Sequence, residues 1–206
     1  MKNEINRIAG RLVKAYNTNT VINPIPVKYC KNINLANKLR KLCEDQIKDE
    51  TIGIKAGGTG IQALKKLKEK EPFTAKVFKK RLVKSGQKVK INQHTKGIEV
   101  EVYYFIKKSF FDFKGKVTKS NVTKFIKFMG PCFEIVGFRQ RNKKFTYLGD
   151  ICGDFGFNIK FVVGRKTKFK KLNLNNLKTS LVSKKNGVKV NGNTNIVYIN
   201  PLNSLR

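Results

Sequence analysis

Apolar residues recur at helical spacing from the start of the chain. Ile5, Ile8, Ala9, Leu12, Val13 and Tyr16 fall on one face of a predicted helix over 5–16. Pro24, Pro26 and several Asn make 17–34 an extended connection. Leu35, Ala36, Leu39, Leu42 and Cys43 predict a second helix ending near Ile47. A short strand from Thr51 then runs into the glycine turn Gly57-Gly58-Thr59-Gly60. Thr59 is a candidate N-cap for a third helix over 60–69.

Beyond Pro72 the texture changes to short β-branched and aromatic runs. Segments 87–92, 97–107, 132–138, 145–152 and 159–164 read as strands. Val122, Phe125, Ile126 and Met129 mark one more helix between them. Asn186-Gly187 lies between two apolar runs, and Asn-Gly accepts the positive φ of a type I′ hairpin turn. The class is α+β in one domain over 1–206, mostly helical over 1–70 and β-rich over 71–206. No repeat or long linker divides it.

Composition sharpens this picture. The 206 residues are 40% hydrophobic, with 15 Phe and 6 Tyr, enough for a packed core. No run of about 18 apolar residues predicts a membrane span, and the polar N-terminus lacks the apolar stretch of a signal peptide. Cys30, Cys43, Cys132 and Cys152 form no C-x-x-C pair. They read as small buried hydrophobes in a reducing, cytoplasmic setting.

The 45 Lys+Arg against 13 Asp+Glu give a formal charge of +32. Such a field attracts nucleic acid non-specifically and would equally draw in a small anionic substrate. The basic residues are scattered rather than gathered into one stripe, and Lys, Asn, Ile and Phe are the residues A/T-rich codons supply. A dedicated nucleic-acid function is the reading from a different class.

Carboxylates are scarce, so their placing is informative. Glu99 and Glu101 alternate with Val100 and Val102 and project from one face of a strand. They are either the wet face of that strand or a pair relieved of mutual repulsion by a hard divalent cation, with Glu134 as a third ligand. The turn after Lys55 is either a plain strand-to-helix turn or an anion site, and it lacks P-loop spacing. His94, the single histidine, has no G-x-S-x-G elbow to serve and reads as a loop residue.

Several segments, in order, resemble the hydratase/decarboxylase branch of the fumarylacetoacetate hydrolase (FAH) superfamily, of which 2-keto-4-pentenoate hydratase is a member. Gly53-Ile54-Lys55-Ala56-Gly57-Gly58-Thr59 with Gln62 resembles its G-W/F-K-I-G-x-T turn. Glu99-Val100-Glu101-Val102 resembles its E-x-E-I strand, and Phe133-Glu134-Ile135-Val136-Gly137-Phe138-Arg139 its I-E-I-V-D-S-R strand. Asp150-Ile151-Cys152-Gly153-Asp154 followed by Phe161-Val162-Val163-Gly164 resembles its D-x-x-A-D-N and V-x-G segments. Asn186-Gly187 and Asn200-Pro201-Leu202-Asn203-Ser204-Leu205 resemble its hairpin and N-P-L-x-A-L ending.

The resemblance implies a mixed β-roll or sandwich with flanking helices and a Mg²⁺ or Mn²⁺ site. Glu99, Glu101 and Glu134 match the metal ligands. Lys55 and Asp154 match catalytic positions, and Arg139 and Thr59 match positions near the substrate. The implied activity is a lyase acting on a 2-oxo or 2-hydroxy-dienoic acid, by hydration or, as in the sister enzymes, by decarboxylation. The implied assembly is a homo-oligomer. Several positions depart from the pattern: Gly137 stands for Asp, Phe155 for Asn and Ile54 for Trp, Arg40 lies near an expected Gln, and Pro72-Phe73-Thr74-Ala75 follows P-D-F-G only loosely. The family pattern also runs on past its N-P-L ending, so the resemblance implies a roll without its last strands and an inactive truncated relative as an alternative.

Overall fold

The N-terminal helix α1 (Lys2–Thr18) buries the stripe read from its period: Ile5, Ile8, Ala9, Leu12 and Tyr16 are each at most 4% exposed. In the computed structural model, which describes residues 2–91, 93–169, 174–197 and 205, that stripe packs on Leu39 and Cys43 of α3 (Ile33–Glu44). Truncating Leu12 or Leu39 to Ala there costs about 2–5 kcal/mol. A short helix α2 (Lys28–Lys31) interrupts the expected extended connection and adds Tyr29 and Cys30 to the core. Asn32 then starts α3, its side-chain oxygen accepting from the Asn34 and Leu35 N–H groups at 3.0 and 3.1 Å. Such a cap contributes about 1 kcal/mol.

β1 (Thr51–Gly57) pairs antiparallel with β2 (Phe73–Phe78), a strand the sequence reading missed. Between them lies α4 (Ile61–Leu67), capped by Gly60 rather than Thr59, with no side-chain cap bond. The main sheet is mixed. Its order is β3 (Leu82–Lys84), β6 (Asn158–Val163), β5 (Ile126–Gly137), β4 (Thr95–Ile106), and β7 (Thr167–Lys168) also pairs with β5. β3 runs parallel to β6, and the other pairs are antiparallel. No helix among the described residues is long and apolar enough to cross a membrane.

Four expectations are corrected. Residues 87–91 form no strand: the chain reverses at Gly86 (φ +88°), where the Gln87 side chain accepts the Lys84 N–H at 2.9 Å. The helix marked by Val122 to Met129 is a 3₁₀ turn (Val122–Phe125) leading into β5. Ile126 and Met129 are both buried although three apart, because the ladder with β4 shifts register beside Ile126. Residues 145–152 are not a strand but lead into α5 (Leu148–Cys152). There the Asp150 carboxylate accepts from the Thr146 and Tyr147 N–H groups at 2.8 and 2.7 Å. Finally, β8 (Lys178–Val182) and β9 (Lys189–Asn193) do form the hairpin, but its loop is longer than a two-residue turn. Ser183 N–H bonds Val188 O, and only Gly187 takes positive φ (+68°). The Asn200–Ser204 part of the expected ending lies outside the described residues.

Candidate metal centre

Strand alternation places Glu99 and Glu101 on one face of β4, and the antiparallel register sets Glu99 directly opposite Glu134 on β5. The three side chains converge: one carboxylate oxygen from each lies within 4.8 Å of the others. Glu134 is 2% exposed, whereas Glu99 and Glu101 open toward solvent. Cys132 stands opposite Glu101 and two residues before Glu134, on the same face by alternation.

Lys55 reaches this centre from β1. Its ammonium donates to both Glu134 oxygens, at 2.7 and 2.8 Å, and to the Gly156 carbonyl at 3.0 Å. Loss of hydration raises Glu134 to about 7; the Lys55 charge offsets part of this and Glu99 adds to it. Glu101 also rises to about 7, first through loss of hydration at its crowded carboxyl group, then through the neighbouring charges of Glu134 and Glu99. Its residue surface remains open at the mouth of the centre, so bulk water limits that effect. Burial, followed by the charges of Glu101 and Glu134, pushes the Cys132 thiol up to about 12.

The carbonyl that Lys55 contacts belongs to an unusual turn. Phe155, Gly156 and Phe157 all have positive φ, at 53°, 66° and 72°. Each non-glycine residue there costs about 1–2 kcal/mol. Gly156 is required on space as well, since a Cβ would fall 2.6 Å from the Ala75 Cβ.

A buried network supports the turn. One Asp154 oxygen accepts from the Arg139 N–H at 2.8 Å and from Gln140 at 3.1 Å, and the other accepts from the Arg139 guanidinium at 3.2 Å. Arg139 also donates to the Asn158 carbonyl, and Asn158 donates to the Phe155 carbonyl at 2.6 Å. The Tyr16 ring packs on Phe155 with centroids 4.4 Å apart.

The structure thus assembles Glu99, Glu101, Glu134 and Lys55 at one point. Asp154 and Arg139, with side chains 0% and 3% exposed, lie in the support behind the 155–157 turn, and these bonds are to protein groups. Thr59 stands half-buried in the turn after β1. Sequence reasoning missed the Gly156 carbonyl, Gln140 and Asn158. A glycine flanked by two phenylalanines after Asp154 was the available signal. Gly137 has its own reason: a Cβ there would lie 1.9 Å from the His94 carbonyl oxygen. His94 itself is buried in its turn, its ring nitrogen 2.6 Å from the Asn19 carbonyl.

The fold matches that of solved structures over nearly the whole chain. It is similar to 4-oxalocrotonate decarboxylase from Pseudomonas putida G7, solved with magnesium and adipate, at TM-score 0.75 and 17% identity. That match covers 98% of this chain and 78% of the other. The same enzyme solved with calcium and acetate gives TM-score 0.77 at 17% identity, covering 98% and 77%. No protein-family model matches the chain, and no curated protein sequence matches it.

Proposed function

We propose that this chain is a divalent-metal-dependent lyase of small 2-oxo acids, with Glu99, Glu101 and Glu134 as the metal ligands. The observation that carries the reading is the convergence of three carboxylates on one sheet face beside Lys55. An all-oxygen donor set of this kind suits Mg²⁺ or Mn²⁺. Such an ion, when bound, supplies Lewis-acid polarisation of the carboxylate and keto oxygen of a 2-oxo acid.

The chain's own residues supply the rest. Lys55 holds a proton beside the centre, fixed by Glu134 and Gly156, and is the group proposed to move it to or from the substrate. Asp154 and Arg139 hold the 155–157 turn and thereby the Lys55 ammonium, and Thr59 is proposed to line the substrate side. The positive field favours entry of a carboxylate substrate. The likeness to a decarboxylase supports loss of CO₂ from a substrate such as 2-oxo-3-hexenedioate; hydration of 2-hydroxypenta-2,4-dienoate is the companion reading.

The test offers both acids to the Mn²⁺-loaded protein and follows released CO₂ and the absorbance of the conjugated system. CO₂ release establishes the decarboxylase. Loss of absorbance without CO₂ establishes the hydratase. Turnover of neither by protein that demonstrably binds Mn²⁺ rejects the activity. Glu99→Ala/Glu101→Ala should abolish turnover.

A further inference from the structure

On the other face of the main sheet a cavity of about 510 Å³ opens between the end of α1, the loop at 46–49 and β6. Lys160, on its wall, pairs in register with Ile135, the neighbour of Glu134, so its side chain leaves the sheet away from the metal centre. Four cationic side chains, Lys48, Lys80, Arg81 and Lys160, line the cavity against one carboxylate, Asp49. That carboxylate is already engaged, accepting the Glu50 and Lys80 N–H groups at 2.9 Å each.

Buried cations elsewhere in this protein have carboxylate partners. Arg40 holds Glu44, Lys55 holds Glu134, Arg139 holds Asp154 and Lys143 holds Asp150. Arg81 is 7% exposed and makes no ion pair among the described residues. Its guanidinium lies 3.7 Å over the Tyr16 ring and donates to Tyr16 O and Asn19 Oδ1 at 2.5 and 3.3 Å. Among the described residues Lys160 likewise donates only to a carbonyl, that of Lys80, at 2.8 Å. Burial, and then the Arg81 charge, lower its pKa, as expected for positive charge gathered without a counterion. Burying an unpaired charge is costly, and an anion seated between Arg81 and Lys160 removes the cost.

We infer that this cavity is a second ligand site, separate from the metal centre, that binds a small phosphate-type dianion through Arg81 and Lys160. A guanidinium fork beside ammonium groups matches a tetrahedral oxyanion. The volume leaves room for the organic part of a phosphate monoester. This site does not depend on the proposed lyase activity.

The test is calorimetric titration with inorganic phosphate and with ribose 5-phosphate, at ionic strength held constant with NaCl. The parent should bind saturably, and the tighter of the two probes identifies a free or an esterified phosphate. Lys160→Gln should weaken binding by about tenfold or more, since a charge-assisted bond is lost. Arg81→Gln should do the same, but Arg81 also fastens the end of α1, so Lys160→Gln is the deciding variant. Glu99→Ala/Glu101→Ala should bind like the parent, and so should Lys178→Gln on the remote hairpin. No saturable binding overturns the inference, as does an affinity unchanged in Lys160→Gln or lowered equally in Lys178→Gln.

Discussion

The Lys55 ammonium bridges both oxygens of Glu134, at 2.7 and 2.8 Å, across 79 residues of sequence. The contact ties the β1–β2 ribbon to the main sheet through the most buried carboxylate of the centre. Removing one partner of a buried pair strands the other. Lys55→Met should therefore cost about 3 kcal/mol near pH 8, and less near pH 5 where Glu134 can accept a proton. Its turnover should fall by about 100-fold or more if Lys55 moves the proton. Urea melts at the two pH values and steady-state rates with Mn²⁺ check both outcomes.

Glu101 and Glu134 titrate near 7 in the folded protein against an ordinary 4.5. Between those values the native state binds more protons than the unfolded chain, so metal-free stability should fall as pH rises through the window. Asp150 works in the opposite sense, but below its ordinary 3.8: despite burial, Lys143 and the Tyr147 and Thr146 N–H groups hold it low. A divalent ion takes the deprotonated carboxylates, so its stabilisation should grow with pH. Melts at about pH 5, 6, 7 and 8, with and without Mn²⁺, should diverge upward. Parallel curves would count against the three-glutamate site.

Asp154→Asn leaves the buried Arg139 guanidinium without its counter-charge. The expected loss is about 3–5 kcal/mol, roughly 10 °C or more in melting temperature. If Asp154 acts by positioning, the residual activity should retain the parent's pH profile, whereas loss of one limb of the profile would make it a proton carrier.

The four cysteines are buried and free. Burial raises Cys30, Cys132 and Cys152 to about 12 and moves Cys43 upward as well. Thiolate is the reactive form, so a disulfide reagent at about pH 8 should label the native protein slowly and the urea-unfolded protein at once. Rapid labelling of Cys132 alone would show that β5 opens.

The sequence reveals what is local or scarce. α1 and α3 were readable because a half-buried helix must repeat its apolar residues, and Ile5 to Tyr16 do so. The glutamates were readable because a chain with 13 acidic residues has few to place in apolar strands. Contacts made at a distance were not. α5 hides in an aromatic run because its start is fixed by Asp150, itself held by Lys143. β2 hides behind Pro72 because it is specified by pairing with β1. The partnership of Lys55 with Gly156 depends on three successive left-handed residues, which no periodicity encodes.

Gly137 carries a consequence for substitution at this point of the sheet. The His94 carbonyl occupies the space of a side chain at this position, 1.9 Å from where a Cβ would stand. The strand opposite shifts register at that point, between Thr95 and Gly97. Any mutational path that places an acid at 137 must first withdraw the main chain at 94–95, and either change alone passes through a poorly packed intermediate. The two positions are locked together by steric epistasis, so introducing an acid at 137 alone should yield a less stable protein.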